Sequence, residues 1–235
     1  MILNFEQIIQ IYNRATTPRK VLDIAKLSIP QGHQILLRGV SGSGKTTFFN
    51  VAAGLLQPTS GAVRYGEVDL YALSEAQRDA FRAQHIGYIF QTHHLLNALT
   101  ALENVIMPMA FAKRLPHADR RKRALELLDL MGLADHAQHY PAQLSTGQRM
   151  RVAVARAIAN QPVILFADEP TASLDQTSAE SVMNTLQATC QTINATLLVA
   201  SHDPALAPRF QQWANLKDGQ LQIQQATATA HQEAV

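Results

Sequence analysis

Three short stretches of this chain carry residue types and spacings that could do chemistry. The first is "GVSGSGKT", Gly39 to Thr46, a G-x-x-x-x-G-K-[ST] pattern with an apolar run before it and a helical pattern after it. Glycines at 39, 42 and 44 let the backbone curl so that successive N–H groups point at phosphate oxygens, and the following helix N-terminus adds partial positive charge. Lys45 would reach the β- and γ-phosphates, and Thr46 would offer a hydroxyl to Mg²⁺. The second is "VILFADEP", an apolar strand ending in Asp168 and Glu169, at the sheet end where open α/β folds bind ligands. Asp168 suits the Mg²⁺ shell, and Glu169 can polarise a water for attack on a γ-phosphate. The third is "LSTGQ" before a long apolar and basic run. Ser145 and Gln148 form an S-x-x-Q capping box there, yet Gly147 is a poor helix former that frees backbone amides for close approach to an anion. Arg149 and Arg151 stand nearby, so this helix start also reads as a phosphate reader.

These stretches must be held by a fold, and the apolar runs show which. "QILLRG", "IGYIFQ", "VILFAD" and "TLLVAS" suit buried parallel strands, with helical patterns between them. That alternation predicts an α/β sheet covered on both faces. A helix is predicted from about Lys45 to Ala53. Another carries Ala124, Leu127, Leu128 and Met131 on one stripe and ends at Gly132. The region between Gln91 and Pro162 reads as a helical insertion. Before residue 34 and around "GAVRYGEVDLYAL" the pattern suggests short antiparallel strands, and Asp218-Gly219 signals a hairpin. The tail, 224–235, lacks apolar periodicity and is expected to be mobile.

Composition narrows the class. At 235 residues and 47% hydrophobic, the chain can bury one sizeable core. A net charge of +2 neither demands nor excludes an anionic partner. One cysteine, Cys190, forms no internal disulfide and fits a reducing cytoplasm. The N-terminus does not read as a signal peptide, and no apolar run approaches the roughly 20 residues that cross a bilayer. His93 with His94, and His136 with His139, lack Cys or acidic partners at zinc-ligand spacing. "RRKR" at 120–123 opens an amphipathic helix and reads as a solvated face.

In family order, "GVSGSGKTT", Gln91 closing "IGYIFQ", "LSTGQ", "VILFADEPTASLD" and His202 in "LLVASHD" resemble the nucleotide-binding subunit of an ABC transporter over nearly the whole chain. The resemblance implies a P-loop NTPase core with a mostly parallel sheet, an N-terminal antiparallel β subdomain and a helical subdomain. The division expected is about 1–91 and 162–223 for the core and about 92–161 for the helical part. It implies ATP and Mg²⁺ as ligands, with Gly39, Ser41, Gly42, Ser43, Gly44, Lys45, Thr46 and Thr47 around the phosphates. Metal contacts fall to Thr46, Gln91 and Asp168, and catalysis to Glu169 and His202. Ser145, Thr146, Gly147 and Gln148 would address the ATP of a second copy in a head-to-tail sandwich dimer, and Asp175 would communicate across that interface. Tyr12 is the aromatic expected to stack on adenine, with Phe5 the alternative.

Two details refine the resemblance. Thr146 stands where the family's signature usually has glycine, and Arg149 and Met150 replace commoner polar residues on what reads as the helix's exposed face. "HIGYIFQTHHLLNALTALENVIMPM" is similar to the lipoprotein-release and macrolide-export branch. That implies an integral membrane permease on another chain, docked near residues 92–115, and a peripheral place on the cytoplasmic face of the inner membrane. No nucleic acid partner is expected; a soluble ABC-type ATPase acting on nucleic acid or another non-transport target is the alternative.

Overall fold

The computed structural model describes residues 2–14 and 17–225. In chain order its strands and helices are β1 (Leu3–Arg14), β2 (Thr17–Ile29), β3 (Gln34–Arg38), α1 (Lys45–Ala52), β4 (Ser60–Tyr65), β5 (Val68–Asp69), α2 (Glu75–His85), β6 (Ile86–Ile89), α3 (Ala101–Ala112), α4 (His117–Leu130), α5 (Thr146–Ile158), β7 (Ile164–Asp168), α6 (Gln176–Thr192), β8 (Thr196–Ala200), β9 (Gln212–Lys217) and β10 (Gln220–Gln225). The chain divides into two compact units, 1–78 with 196–235, and 79–195, the boundary running through α2. The second unit is wider than the helical insertion expected at 92–161, because it also takes in β6, β7 and α6.

In the first unit β3 pairs in parallel with both β8 and β9, and β9 turns back on β10. Every residue of β8 is buried, as a strand covered on both faces requires. The β9–β10 turn places Asp218 and Gly219 at φ 50 and 78, the left-handed pair that a two-residue hairpin demands. A separate antiparallel sheet runs in the order β2-β1-β4-β5. Its first two strands are 12 and 13 residues long, where short strands were expected. The reason is a break of phase: Leu3 and Phe5 are buried, then Ile8 and Gln10, with Gln7 at φ 52 between them. The β1–β4 register shifts across Glu6/Ile9 at the same place. Such a bulge moves the buried face from odd to even residues, so alternation in sequence breaks while the strand continues.

In the second unit β6 and β7 are parallel, and all five residues of β7 are buried. The α4 stripe is as expected, with Ala124, Leu127, Leu128 and Met131 all buried. α5 turns Val152, Ala153, Val154, Ala155, Ala157 and Ile158 inward. Met150 belongs to this buried set at 1% exposure, not to the exposed face expected from sequence. At 3.6 residues per turn it falls on the stripe with Ala153, Val154 and Ala157. Cys190 is buried in α6, and burial pushes its thiol up to about 12, which leaves it protonated and unreactive. The stretch expected to be mobile, 224–235, contributes its first two residues to β10; from 226 onward it lies outside the described residues. No helix among the described residues is long and apolar enough to cross a membrane.

One close approach fixes α5 against the strand leading to Gln91. A Cβ added at Gly87 in β6 would stand 2.5 Å from the Ala157 carbonyl oxygen and 2.4 Å from Leu165 Cδ1. Only a residue without a side chain allows backbone and strand to meet there. Gly87→Ala is therefore expected to destabilise the chain by about 1–3 kcal/mol through overpacking, read as a lower urea midpoint at unchanged m-value.

Candidate functional site

The phosphate loop leaves β3, whose three central residues are buried, and enters α1 through Gly44. Gly44 is the N-cap of α1 at φ 108, with no side-chain cap and no acidic residue in the first turn. A Cβ at Gly44 would also meet Val21 Cγ1 at 2.7 Å, so both conformation and space require glycine. The result is a helix N-terminus whose amide donors and dipole are offered to an anion. Lys45 is buried to 9% exposure, and its Nζ donates to the Gly39 carbonyl at 2.8 Å. A buried ammonium needs such a partner, and phosphate oxygens are stronger acceptors that can take its place. Ser43 N–H donates to the Val40 carbonyl at 3.1 Å, tightening the loop. Ser41, Gly42 and Thr46 are exposed, and Thr47 is half-buried.

Three further residues of the first unit stand near this loop. Tyr12 is 38% exposed and its hydroxyl is 3.4 Å from Thr47 Oγ1, whereas Phe5 is fully buried with its ring 4.9 Å from that of Phe48. Phe5 thus fills core, and Tyr12 is the exposed one of the two. Opposite Tyr12 in the β1–β2 register lies Arg19, whose Nη2 donates to the Gly42 carbonyl at 3.2 Å. Arg19 and residues 39–43 and 215–219 help line a cleft of about 720 Å³. Sequence reasoning missed Arg19, because only the hairpin register brings it to the loop. His202 is exposed and directly follows Ser201, whose N–H donates to the Leu37 carbonyl at 3.2 Å. Since Leu37 and Ala200 are partners in parallel strands, His202 and the loop emerge at the same sheet edge.

In the second unit the parallel pair does the same for the acids. Ile89 is the partner of Ala167, so Gln91 leaves β6 at the edge where β7 delivers Asp168 and Glu169. Asp168 and Glu169 are 6% and 9% exposed, while Gln91 is exposed. Burial, with the Asp168 charge adding, pushes the Tyr88 phenol up. Glu169 sits at φ 49, a left-handed conformation that side chains adopt at a cost of about 1–2 kcal/mol; such backbone concentrates at functional sites.

The "LSTGQ" helix start is α5. Gln148 N–H donates to Ser145 Oγ at 3.2 Å and Ser145 N–H donates to Gln148 Oε1 at 2.8 Å, the reciprocal capping box. Because Gln148 Oε1 is thereby an acceptor, its Nε2 is the donor toward His136 Nε2 at 3.0 Å. Arg149 and Arg151 are not spare cations here. Arg149 donates to the Leu144 carbonyl at 2.7 Å and to Thr146 Oγ1 at 3.0 Å, and Arg151 to the Met131 carbonyl at 2.9 Å. The Thr146 and Arg149 departures are therefore partners. Asp175 caps α6, accepting from Ser178 Oγ at 2.6 Å and Ser178 N–H at 2.9 Å; the Ser178 hydroxyl first and its amide second hold the carboxyl below the usual range.

A phosphate loop with its lysine and helix, a strand-end acid pair and a capped, glycine-bearing helix start define an ATP-binding cassette. The chain belongs to the ABC transporter family, whose profile matches residues 22–172. It is 38% identical over 221 residues to the lipoprotein-releasing system ATP-binding protein LolD of Legionella pneumophila (strain Paris), covering 94% of this chain and 97% of that protein. It is 40% identical over 220 residues to the ABC transporter ATP-binding protein MJ1508 of Methanocaldococcus jannaschii, with 94% and 97% covered. Its fold matches the ATP-binding cassette MJ0796, solved as a dimer in a post-hydrolysis state bound to ADP and Pi, with a TM-score of 0.89 and 35% identity over 96% of this chain and 99% of that one. The chain is an ATP-binding, ATP-hydrolysing subunit of this family.

Gly147 lets packing be tested apart from turnover. A Cβ there would meet only ordinary contacts, the nearest being Ser178 Oγ at 3.5 Å, and the residue lies in regular helix. Gly147→Ala is expected to leave stability unchanged or raise it by about 0.5–1 kcal/mol, while ATP turnover falls about tenfold or more. Paired thermal melts and steady-state ATPase assays check both halves.

Proposed function

We propose that this chain is the motor of a membrane transport complex of the lipoprotein-release or macrolide-export type, working as a head-to-tail dimer of two copies around two ATP molecules. The observation that carries the reading is Gly147. At that position in α5 the packing would accept a side chain, yet none is present. An amide-rich, uncrowded helix start suits a phosphate brought by another copy.

In this reading the amides of residues 39–46 and the Lys45 ammonium hold the β- and γ-phosphates, and Tyr12 carries the adenine ring. Ser145 and Gly147 complete the γ-phosphate's surroundings in the second copy, with Thr146 and Gln148 beside them, and Asp175 relays across the interface. Glu169 orients the attacking water, and His202 stabilises charge as the terminal phosphoryl leaves ADP. Among the described residues no group of three or more His, Cys, Asp or Glu could hold a metal ion. The groups assigned to it, the Thr46 hydroxyl, the Asp168 carboxylate and the Gln91 amide, carry hard oxygens of the kind Mg²⁺ takes, with phosphate and water completing its shell. When bound, that ion neutralises charge on the phosphate oxygens. The dimer closes on ATP and opens after hydrolysis, and residues 92–115, with Leu96 and Phe111 exposed at 45% and 68%, take the permease. The chain then sits peripherally on the cytoplasmic face of the inner membrane, with no nucleic acid partner.

Four measurements test this. Glu169→Gln with Mg-ATP is expected to turn over at least about a hundredfold slower and to elute as a dimer in size exclusion, while Lys45→Ala loses ATP affinity. A strictly monomeric, ATP-loaded Glu169→Gln protein contradicts the sandwich. Tagged Glu169→Gln used as bait on detergent-solubilised membranes is expected to recover a polytopic membrane protein with a large extracytoplasmic domain; recovery of nucleic acid or soluble proteins alone contradicts the transport role.

A further inference from the structure

Arg156, in the last turn of α5, has no part in the chemistry above, yet it makes two short side-chain bonds within the second unit. Its Nη1 donates to the His94 carbonyl and its Nη2 to the His93 carbonyl, both at 2.6 Å. The planar guanidinium fork suits two acceptors held side by side, and such charge-assisted bonds are the strong ones.

The two carbonyls belong to an unusual piece of backbone. His93 and His94 have φ 63 and 47, and neither is glycine. The His94 N–H reaches the Thr92 carbonyl at 2.7 Å, closing a three-residue γ-turn about a positive-φ centre, a rare and strained form. The His93 N–H donates to the Phe90 carbonyl at 2.9 Å, and the rings of Phe90 and His94 stack at 4.6 Å across the turn. A turn of this kind persists only where its surroundings over-determine it, and the Arg156 fork is the strongest such restraint here. Gln91 is the residue next to the γ-turn, between it and β6. Its direction is set by β6 on one side and by the turn on the other.

α5 begins at the Ser145 cap and ends at Arg156's turn. Its 13 residues span roughly 20 Å. It also lies against β6 at the Gly87 contact, where a Cβ would stand 2.5 Å from the Ala157 carbonyl. We propose that Arg156 is a positioning residue that acts through Gln91. α5 is a rod whose first turn engages the nucleotide of the second copy and whose last turn grips the backbone that aims Gln91. A shift of the helix on ATP engagement is passed directly to the His93 and His94 carbonyls, and so to Gln91. This rests on the proposed role of Gln91 at the metal.

The test is a double-mutant cycle on Mg-ATP turnover of the full chain, with Gln91→Ala, Arg156→Lys and the two combined, each checked for a native thermal melt. Lysine keeps the charge and loses the fork. Gln91→Ala is expected to lower kcat about tenfold with KM for ATP within about twofold, and Arg156→Lys to lower kcat several-fold with the same KM. The combined variant is expected to be no slower than Gln91→Ala alone, because residues acting through one another are non-additive. Losses that multiply, or an Arg156→Lys effect confined to KM, overturn the proposal and leave the Gln91 role standing. Full kcat in Gln91→Ala overturns the Gln91 role and the proposal with it. Hydrogen exchange gives a readout independent of turnover. Amides of residues 91–95 are expected to exchange about tenfold faster in Arg156→Lys while those of β6 and the centre of α5 do not change; unchanged exchange at 91–95 overturns the grip itself.

Discussion

A lysine ammonium that is nine-tenths buried must always have an acceptor, and much of the first unit is arranged around this need. In this structure Lys45 is answered by the carbonyl of Gly39, six residues earlier in its own loop. That bond can form only because β3 delivers the loop at the sheet edge and Gly44 starts α1 from a left-handed conformation. The same geometry presents the helix amides outward, so the loop holds its own cation while displaying donors to an anion. A triphosphate satisfies both at once, because it offers Lys45 a charged acceptor and the amides the negative charge that the helix dipole favours.

The second unit solves a different problem, that of delivering polar residues to one edge from a buried interior. β7 is buried throughout until Asp168, and β6 runs parallel beside it. Parallel strands end at a common edge, so two apolar runs far apart in sequence put Gln91 and the acid pair together. At that edge the backbone leaves ordinary conformations, with Glu169, His93 and His94 all at positive φ. Left-handed residues with side chains cost energy, and here they fall at the acid and two and three residues beyond Gln91. α5 lies between these demands. Its flank is apolar and buried, its first turn is polar and capped, and its last turn carries a cation spent on the chain that follows Gln91.

Several features were legible in the sequence because their physics is local. The loop glycines, the Ser145–Gln148 capping box, the Asp218-Gly219 turn and the buried strand runs each depend on residues a few positions apart, and each stands where spacing placed it. Other features were not. The bulge at Gln7 breaks the alternation of β1, so the length of that strand does not show in the sequence. Met150 read as surface because it stands where relatives usually have a polar residue, although helical geometry turns it inward. Arg149 and Arg151 read as phosphate readers, since nothing local shows the Leu144 and Met131 carbonyls that occupy them.

The sequence by itself determined the chemistry on offer: a lysine-bearing phosphate loop, an acid pair after a buried strand, a capped helix start with a glycine in its first turn, and the family to which that set belongs. Tertiary structure alone decided which cations are committed and which backbone is held away from its relaxed form. Arg19 meets Gly42 through the register of a hairpin, and Arg156 meets His93 and His94 across more than sixty residues of chain. Hydrogen bonds of this kind depend on where folding brings a donor and a carbonyl. Every residue except proline carries the same backbone groups, so no sequence pattern marks the carbonyl that will be chosen.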